Sequence, residues 1–98
     1  MLPQRSRLSA AEVRAILKGG RSARSATLSA KYVPAVHSRA AVVVSTKVAK
    51  SAVARNRLRR TCYDALRPLL PPGKNVVFFL HKPTLDIGEL KELCFKLS

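Results

Sequence analysis

From Lys47 to Arg60 the chain reads Lys-Val-Ala-Lys-Ser-Ala-Val-Ala-Arg-Asn-Arg-Leu-Arg-Arg, six basic residues with no acidic one among them. The chemistry open to such a cluster is the binding of a polyphosphate, and RNA is the natural partner. Asn56, set between Arg55 and Arg57, adds amide donors and an acceptor. An amide can bond a ribose 2′-hydroxyl or a base edge, which a bare charge cannot. The alternative for Asn56 is a local cap or turn residue. The cluster does not trail off into a polar tail. It runs into a helical hydrophobic pattern, so the cations are mounted on a rigid element.

That element is set by Leu58, Cys62, Ala65, Leu66, Leu69 and Leu70. Their spacing forms one apolar stripe at a period of 3.6. The pattern predicts a helix from about Ser51 to Leu70, closed by Pro71-Pro72-Gly73. At about 100° per residue, Arg57, Arg60, Asp64 and Arg67 fall opposite the stripe, with Asn56 beside them. Arg55 and Arg59 fall at its edge, close to the helix start. Lys47 and Lys50 lie in the preceding turn. The cations therefore gather round a helix N-terminus, which already carries partial positive charge and free N–H groups. A purely structural helix would place acids there, so the arrangement favours an anionic ligand.

The remaining elements frame this helix. Ser9-Ala10-Ala11-Glu12 is a capping box, and Val13, Ile16 and Leu17 follow at helical spacing up to Gly19-Gly20, giving a first helix over Ala10 to Lys18. Arg21 to Ser25 reads as a loop or short edge strand. Thr27 to Val33 alternates, with Leu28, Ala30 and Tyr32 on one side, as a half-buried strand does. Arg39 to Ser45 is a β-branched run suited to a central strand. The short link Ala35 to Ser38 suggests that these two strands pair antiparallel. Asn75 to His81 reads as a strand buried on both faces. Asp86-Ile87-Gly88-Glu89 is a second capping box, and Ile87, Leu90, Cys94 and Leu97 form the apolar face of a last helix. The order is α-β-β-α-β-α, with at most one extra short strand, in a single α+β domain whose central sheet is packed by helices. Val42 through Phe78 forms a β-α-β unit.

Composition narrows the function classes. The 98 residues carry a net charge of +14, yet 47% of them are hydrophobic, too many for a disordered basic tail. Between Val13 and Tyr63 there are twelve Lys and Arg and no carboxylate. Self-repulsion there is relieved by an anionic partner. Cys62 and Cys94 sit on apolar helix faces and read as buried free thiols. His37 and His81 stand far apart and away from any Cys-x-x-Cys, so no metal site is expected. No apolar run reaches membrane-spanning length, and Met1-Leu2-Pro3-Gln4-Arg5 lacks an apolar signal core. A soluble cytoplasmic protein is expected. Asp64, Asp86, Glu89 and Glu92 are scattered without a nearby His, which argues against an autonomous metal-dependent nuclease. Strands flank the basic helix, which argues against a helix-turn-helix. A small basic ribosomal protein remains the alternative on composition.

The stretch Val42-Val43-Val44-Ser45-Thr46-Lys47 followed by Arg55-Asn56-Arg57-Leu58-Arg59-Arg60 resembles the signature of the bacterial ribonuclease P protein component. Leu8 to Arg21, the Leu69-Leu70-Pro71-Pro72-Gly73 passage with the following Val-Val-Phe, and the closing Glu89-Leu90-Lys91 helix are similar to it as well. The resemblance implies a left-handed β-α-β crossover where the general rule gives a right-handed one. It implies binding to a catalytic RNA through Lys47, Lys50, Arg55, Asn56, Arg57, Arg59 and Arg60. It implies a cleft between the first helix and the sheet for the 5′ leader of precursor tRNA, with Arg7, Val13, Leu17 and Tyr32 as candidates. Catalysis would belong to the RNA and its Mg²⁺, with no cofactor and no catalytic residue in the protein. The protein would be a monomer in a one-to-one ribonucleoprotein. Two departures stand out. Thr46 replaces the first Lys of the family's Lys-Lys pair, and the aromatic residues the family usually carries near Val13 and Leu17 are aliphatic here.

Overall fold

A computed structural model describes residues 6–97. Met1 to Arg5, read above as lacking a signal core, lie outside the described residues. The elements are α1 (Ala10–Gly19), β1 (Arg21–Arg24), β2 (Leu28–Pro34), β3 (Arg39–Val44), α2 (Ala52–Leu66), β4 (Lys74–Leu80) and α3 (Ile87–Leu97). The extra short strand is β1. The α+β class and the element order agree with the sequence pattern, and each strand boundary lies within one residue of expectation.

The sheet order is β1-β2-β4-β3. The expected antiparallel pairing of β2 with β3 does not occur. β4 lies between them, antiparallel to β2 and parallel to β3. Adjacent strands sit about 4.8 Å apart, so a link reaching over one strand must cover roughly 10 Å. Residues 35–38 can do this when extended, so a short link did not require direct pairing. The link also holds the turn into β4. Ala35 N–H donates to Gly73 O at 2.9 Å, and Gly73 N–H donates to the Ser38 hydroxyl at 3.1 Å. Gly73 has φ of 70°, a left-handed conformation for which glycine is suited.

Strand parity divides the protein into layers. Leu28, Ala30, Ala40, Val42, Val44, Val76, Phe78 and Leu80 face α2 and α3 and form the larger core. Ala41 and Val77, with half-buried Val33, Val43 and Phe79, face α1 through Ile16, Val13 and Leu17. Fully buried Cys62 and Leu66 anchor α2, as the stripe predicted. The helix itself stops at Leu66, four residues before the expected end, and residues 67–69 form a turn that still half-buries Leu69.

The second capping box forms only in part. Asp86 accepts from Glu89 N–H at 3.2 Å. The Glu89 carboxylate does not reach back to Asp86. It binds the backbone N–H and hydroxyl of Thr27 instead, tying α3 to the start of β2. Ile87, expected on the apolar face, is 57% exposed, and Leu93 takes a core position that the sequence reading omitted.

Candidate nucleic-acid interface

The turn that carries Lys47 and Lys50 is built from inside. Val48 and Ala49 N–H both donate to Ser45 O at 3.1 Å, and Ala49 is buried. This plug fixes the turn and leaves Lys47 and Lys50 exposed. Ser51 then caps α2, its hydroxyl accepting from Ala54 N–H at 3.0 Å. The first turn of α2 holds no acid, so nothing on the helix itself neutralises its N-terminus.

The four arginines divide by role. Arg55 Nη1 donates to Ala49 O at 3.0 Å and to Lys50 O at 2.9 Å. It is half-buried and lashes the turn to the helix. Arg59 is also half-buried and donates to Asn56 Oδ1. That bond engages the Asn56 oxygen, and the NH₂ of the same amide adds two donors, the polarity a phosphate or base acceptor needs. Arg57 and Arg60 are exposed, as their angular position predicted. They line a shallow depression with Val53, Asn56, Thr61 and Asp64. The result is two exposed guanidiniums and an amide at the helix start, beside two exposed lysines in the turn before it. Such a surface can bind several phosphates of a folded nucleic acid without large rearrangement.

The helix is also fastened to the sheet edge. Tyr63 Oη accepts from Val42 N–H at 3.1 Å. β3 is an outer strand, and its free edge is further covered by the N-terminal segment, where Arg7 bridges Ala40 and Leu8 N–H donates to Ala40 O at 3.0 Å. An exposed β edge invites pairing with other chains, and here it is closed.

The cleft candidates do not come together as a set. Val13 and Leu17 share the α1 side of the sheet. Tyr32 lies on the other side, packed with the larger core. Its parity with Leu28 and Ala30 decides this. Arg7 lies at the β3 edge, lining a depression with Leu8, Ser9, Glu12 and Tyr63. The aromatic that does join Val13 and Leu17 is Phe79, half-buried and aligned across the sheet with Ser29 and Val43. The sequence offered one signal for it, shared parity with Val77. The ten-residue α1 is too short to cover the whole face, and sequence does not show which end it leaves open.

Polar contacts hold α1 in place. Ser9 N–H donates to Glu12 Oε1 at 3.0 Å, the Ser9 hydroxyl accepts from Glu12 N–H at 3.3 Å, and Arg39 Nη1 pairs with Glu12 Oε2 at 3.3 Å. The Ser9 backbone and hydroxyl bonds, reinforced by the Arg39 charge, hold the Glu12 carboxyl below its ordinary value. Lys31 Nζ donates to Leu17 O at 3.2 Å near the helix end. Cys62 and Cys94 are buried thiols that form no disulfide with each other. Burial, with a smaller contribution from Cys94, pushes the Cys62 thiol up to about 12, and burial alone raises Cys94 to about 11. Neither is a nucleophile near neutral pH. Among the described residues, no helix is long and apolar enough to cross a membrane.

Comparison with known proteins gives a consistent result. The family model described as Ribonuclease P matches residues 2–97. A relative from Synechococcus, a ribonuclease P protein component, is 42% identical over 73 residues, covering 65% of this chain and 55% of its own length. The chain spans about half the length of the relatives it matches. The structure is similar to the RNase P protein from Thermotoga maritima, with a TM-score of 0.74 at 23% identity over 93% of each chain. It is also similar to the Staphylococcus aureus RNase P protein, with a TM-score of 0.73 at 18% identity over 94% of this chain and 91% of that one. At these identities the structural likeness speaks for the fold.

Proposed function

Because this chain belongs to the Ribonuclease P family, we propose that it is the protein subunit of a ribonuclease P, binding a catalytic RNA and assisting removal of the 5′ leader from precursor tRNA. The observation that carries this is the start of α2. Asn56, Arg57 and Arg60 face solvent there above Lys47 and Lys50, within a chain that the family model matches almost end to end. The ribosomal-protein alternative gains no support from the matches.

The chain's residues supply binding and screening. Arg57, Arg60, Lys47 and Lys50 neutralise phosphates, Asn56 adds directional donors, and Arg55 and Arg59 hold that surface in shape. The proposed leader contact is the open part of the sheet beside α1, with Val13, Leu17 and Phe79 as its apolar wall. Arg7 stands apart from this wall at the β3 edge, and half-buried Tyr32 packs against the larger core. Stacking on an aromatic contributes roughly 1–3 kcal/mol per base, and Phe79 offers one such surface. Mg²⁺ is assigned to the RNA. The carboxylates support this, since Asp86 caps α3 and Glu89 binds Thr27. One protein per RNA is proposed. Two buried cysteines held as thiols, not as a disulfide, favour a reducing compartment, the cytoplasm.

The test is reconstitution with precursor tRNA at low Mg²⁺. The RNA alone should be slow, the protein alone inactive and the mixture fast. Cleavage by the protein alone, or a mixture no faster than the RNA, refutes the proposal. If five to seven phosphates are neutralised, the log of RNA affinity should fall with log salt at a slope of roughly −4 to −6.

A further inference from the structure

The outer face of α3 plays no part in the interface above. Phe95 is 82% exposed there, and it lines a shallow groove with Gly88, Lys91, Glu92 and Lys96. Gly88 contributes no side chain, which opens the groove. The charge around this helix also differs from that of the rest of the chain. Residues 81–98 hold three lysines and three carboxylates, so the entire net charge of +14 resides on the other 80 residues. This helix is neutral in itself, so a second cationic chain meets less repulsion along its outer face than along the basic motif.

We propose that α3 is a self-association surface, on which a second copy of this chain packs its own α3 antiparallel about a two-fold axis. The helix geometry argues for this arrangement. Measured round the helix from Phe95, Glu92 lies about 60° and Lys96 about 100° to one side, while Lys91 lies about 40° to the other. In an antiparallel two-fold pair, each flank meets the same flank of the other copy with its direction reversed. Glu92 therefore comes opposite the partner's Lys96, and Lys96 opposite the partner's Glu92. Phe95 lies within one residue of the midpoint of that pair, so the same alignment brings the two phenyl rings together. The two Lys91 side chains start roughly 9 Å apart along the axis, from a rise of 1.5 Å per residue. One helix face buries little area, which places the pair among weak, transient interfaces.

Sedimentation equilibrium of the 98-residue chain without RNA tests the proposal. The average mass should rise with protein concentration towards twice that of the monomer. Added salt should strengthen association by screening the repulsion between the cationic bodies, the opposite of its effect on RNA binding. Phe95→Ala should weaken association about tenfold or more, as loss of a central aromatic anchor does. Glu92→Lys should also weaken it, and the double exchange Glu92→Lys with Lys96→Glu should restore it to within about twofold. All three side chains are exposed, and circular dichroism checks that the fold is unchanged. A chain that stays monomeric at every concentration and salt overturns the proposal. So does association indifferent to Phe95→Ala. If Phe95→Ala instead lowers RNA affinity while the chain remains monomeric, the face is a base-stacking platform and the proposal falls.

Discussion

Replacing Arg55 by Ala should destabilise the fold, whereas replacing Arg57 by Ala should not, although the two residues are near neighbours in one basic motif. Arg55 donates to Ala49 O and Lys50 O, at 3.0 and 2.9 Å. Hydrogen bonds from a charged group contribute about 1.5–3 kcal/mol when buried. Arg55 is only half-buried and the Lys50 bond is exposed, so screening reduces the pair to about 1–2 kcal/mol. For a domain of this size 1 kcal/mol moves Tm by about 4–8 °C. Arg55→Ala should therefore melt roughly 5–15 °C lower. Arg57 has no such bond to lose, and an exposed substitution typically costs under about 0.5 kcal/mol. Thermal melts followed by circular dichroism measure the first effect, and equilibrium RNA binding well below both melting temperatures measures the second. Arg57→Ala should weaken binding with Tm nearly unchanged. Arg55→Ala should also weaken it, because Lys47 and Lys50 lose their fixed turn. If Arg55→Ala melts with the parent, the division of the arginines into turn-holding and ligand-facing is wrong.

Other outcomes follow from the same packing. Leu66→Ala removes a side chain with no exposure and should cost about 2–5 kcal/mol in chemical denaturation. Tyr63→Phe removes the acceptor for Val42 N–H and should cost about 1–3 kcal/mol by leaving a buried donor unpaired, with no change in RNA salt slope. Cys62 and Cys94 should resist thiol reagents at pH 8 until the chain is unfolded. Their folded values lie above the ordinary 9.0, so the unfolded state loses these protons first. Their contribution to stability is whole below about pH 9 and drains as pH rises towards 11 to 12, which alkaline denaturation curves should show.

The parts legible in the sequence were those governed by near neighbours along the chain. The Ser9–Glu12 box formed as read, the stripe through Cys62 and Leu66 oriented α2, and the outward positions of Arg57 and Arg60 followed from the same angles. Long-range competition governed what was missed. Glu89 had two possible partners, the Asp86 backbone and Thr27, and 62 residues of separation hid the second from any local rule. Tyr32 carried the parity of the main core, but which helix covers that face depends on the whole sheet. Arg55 looked like one more cation in the motif, because its carbonyl partners appear only once the β3–α2 turn is folded. The α1 side of β4 left Phe79 half open, and only the placement of α1 reveals that.

The position of β4 has a consequence for how the chain acquires its shape. β2 and β3 are made first and follow one another closely, yet neither pairs with the other. β2 has β1 beside it, but β3 waits for a strand that begins at Lys74. Until then β3 has α2 and the N-terminal segment but no ladder partner, so the basic helix start rests on an incomplete scaffold. Sheet closure then depends on contacts distant in sequence, the kind that slow folding. It must also bring together a strongly cationic N-terminal portion whose charges oppose compaction. A polyanion present at that stage would lower this barrier by screening those charges. A fragment ending before Lys74 would keep every residue of the basic motif and lack the sheet that presents it.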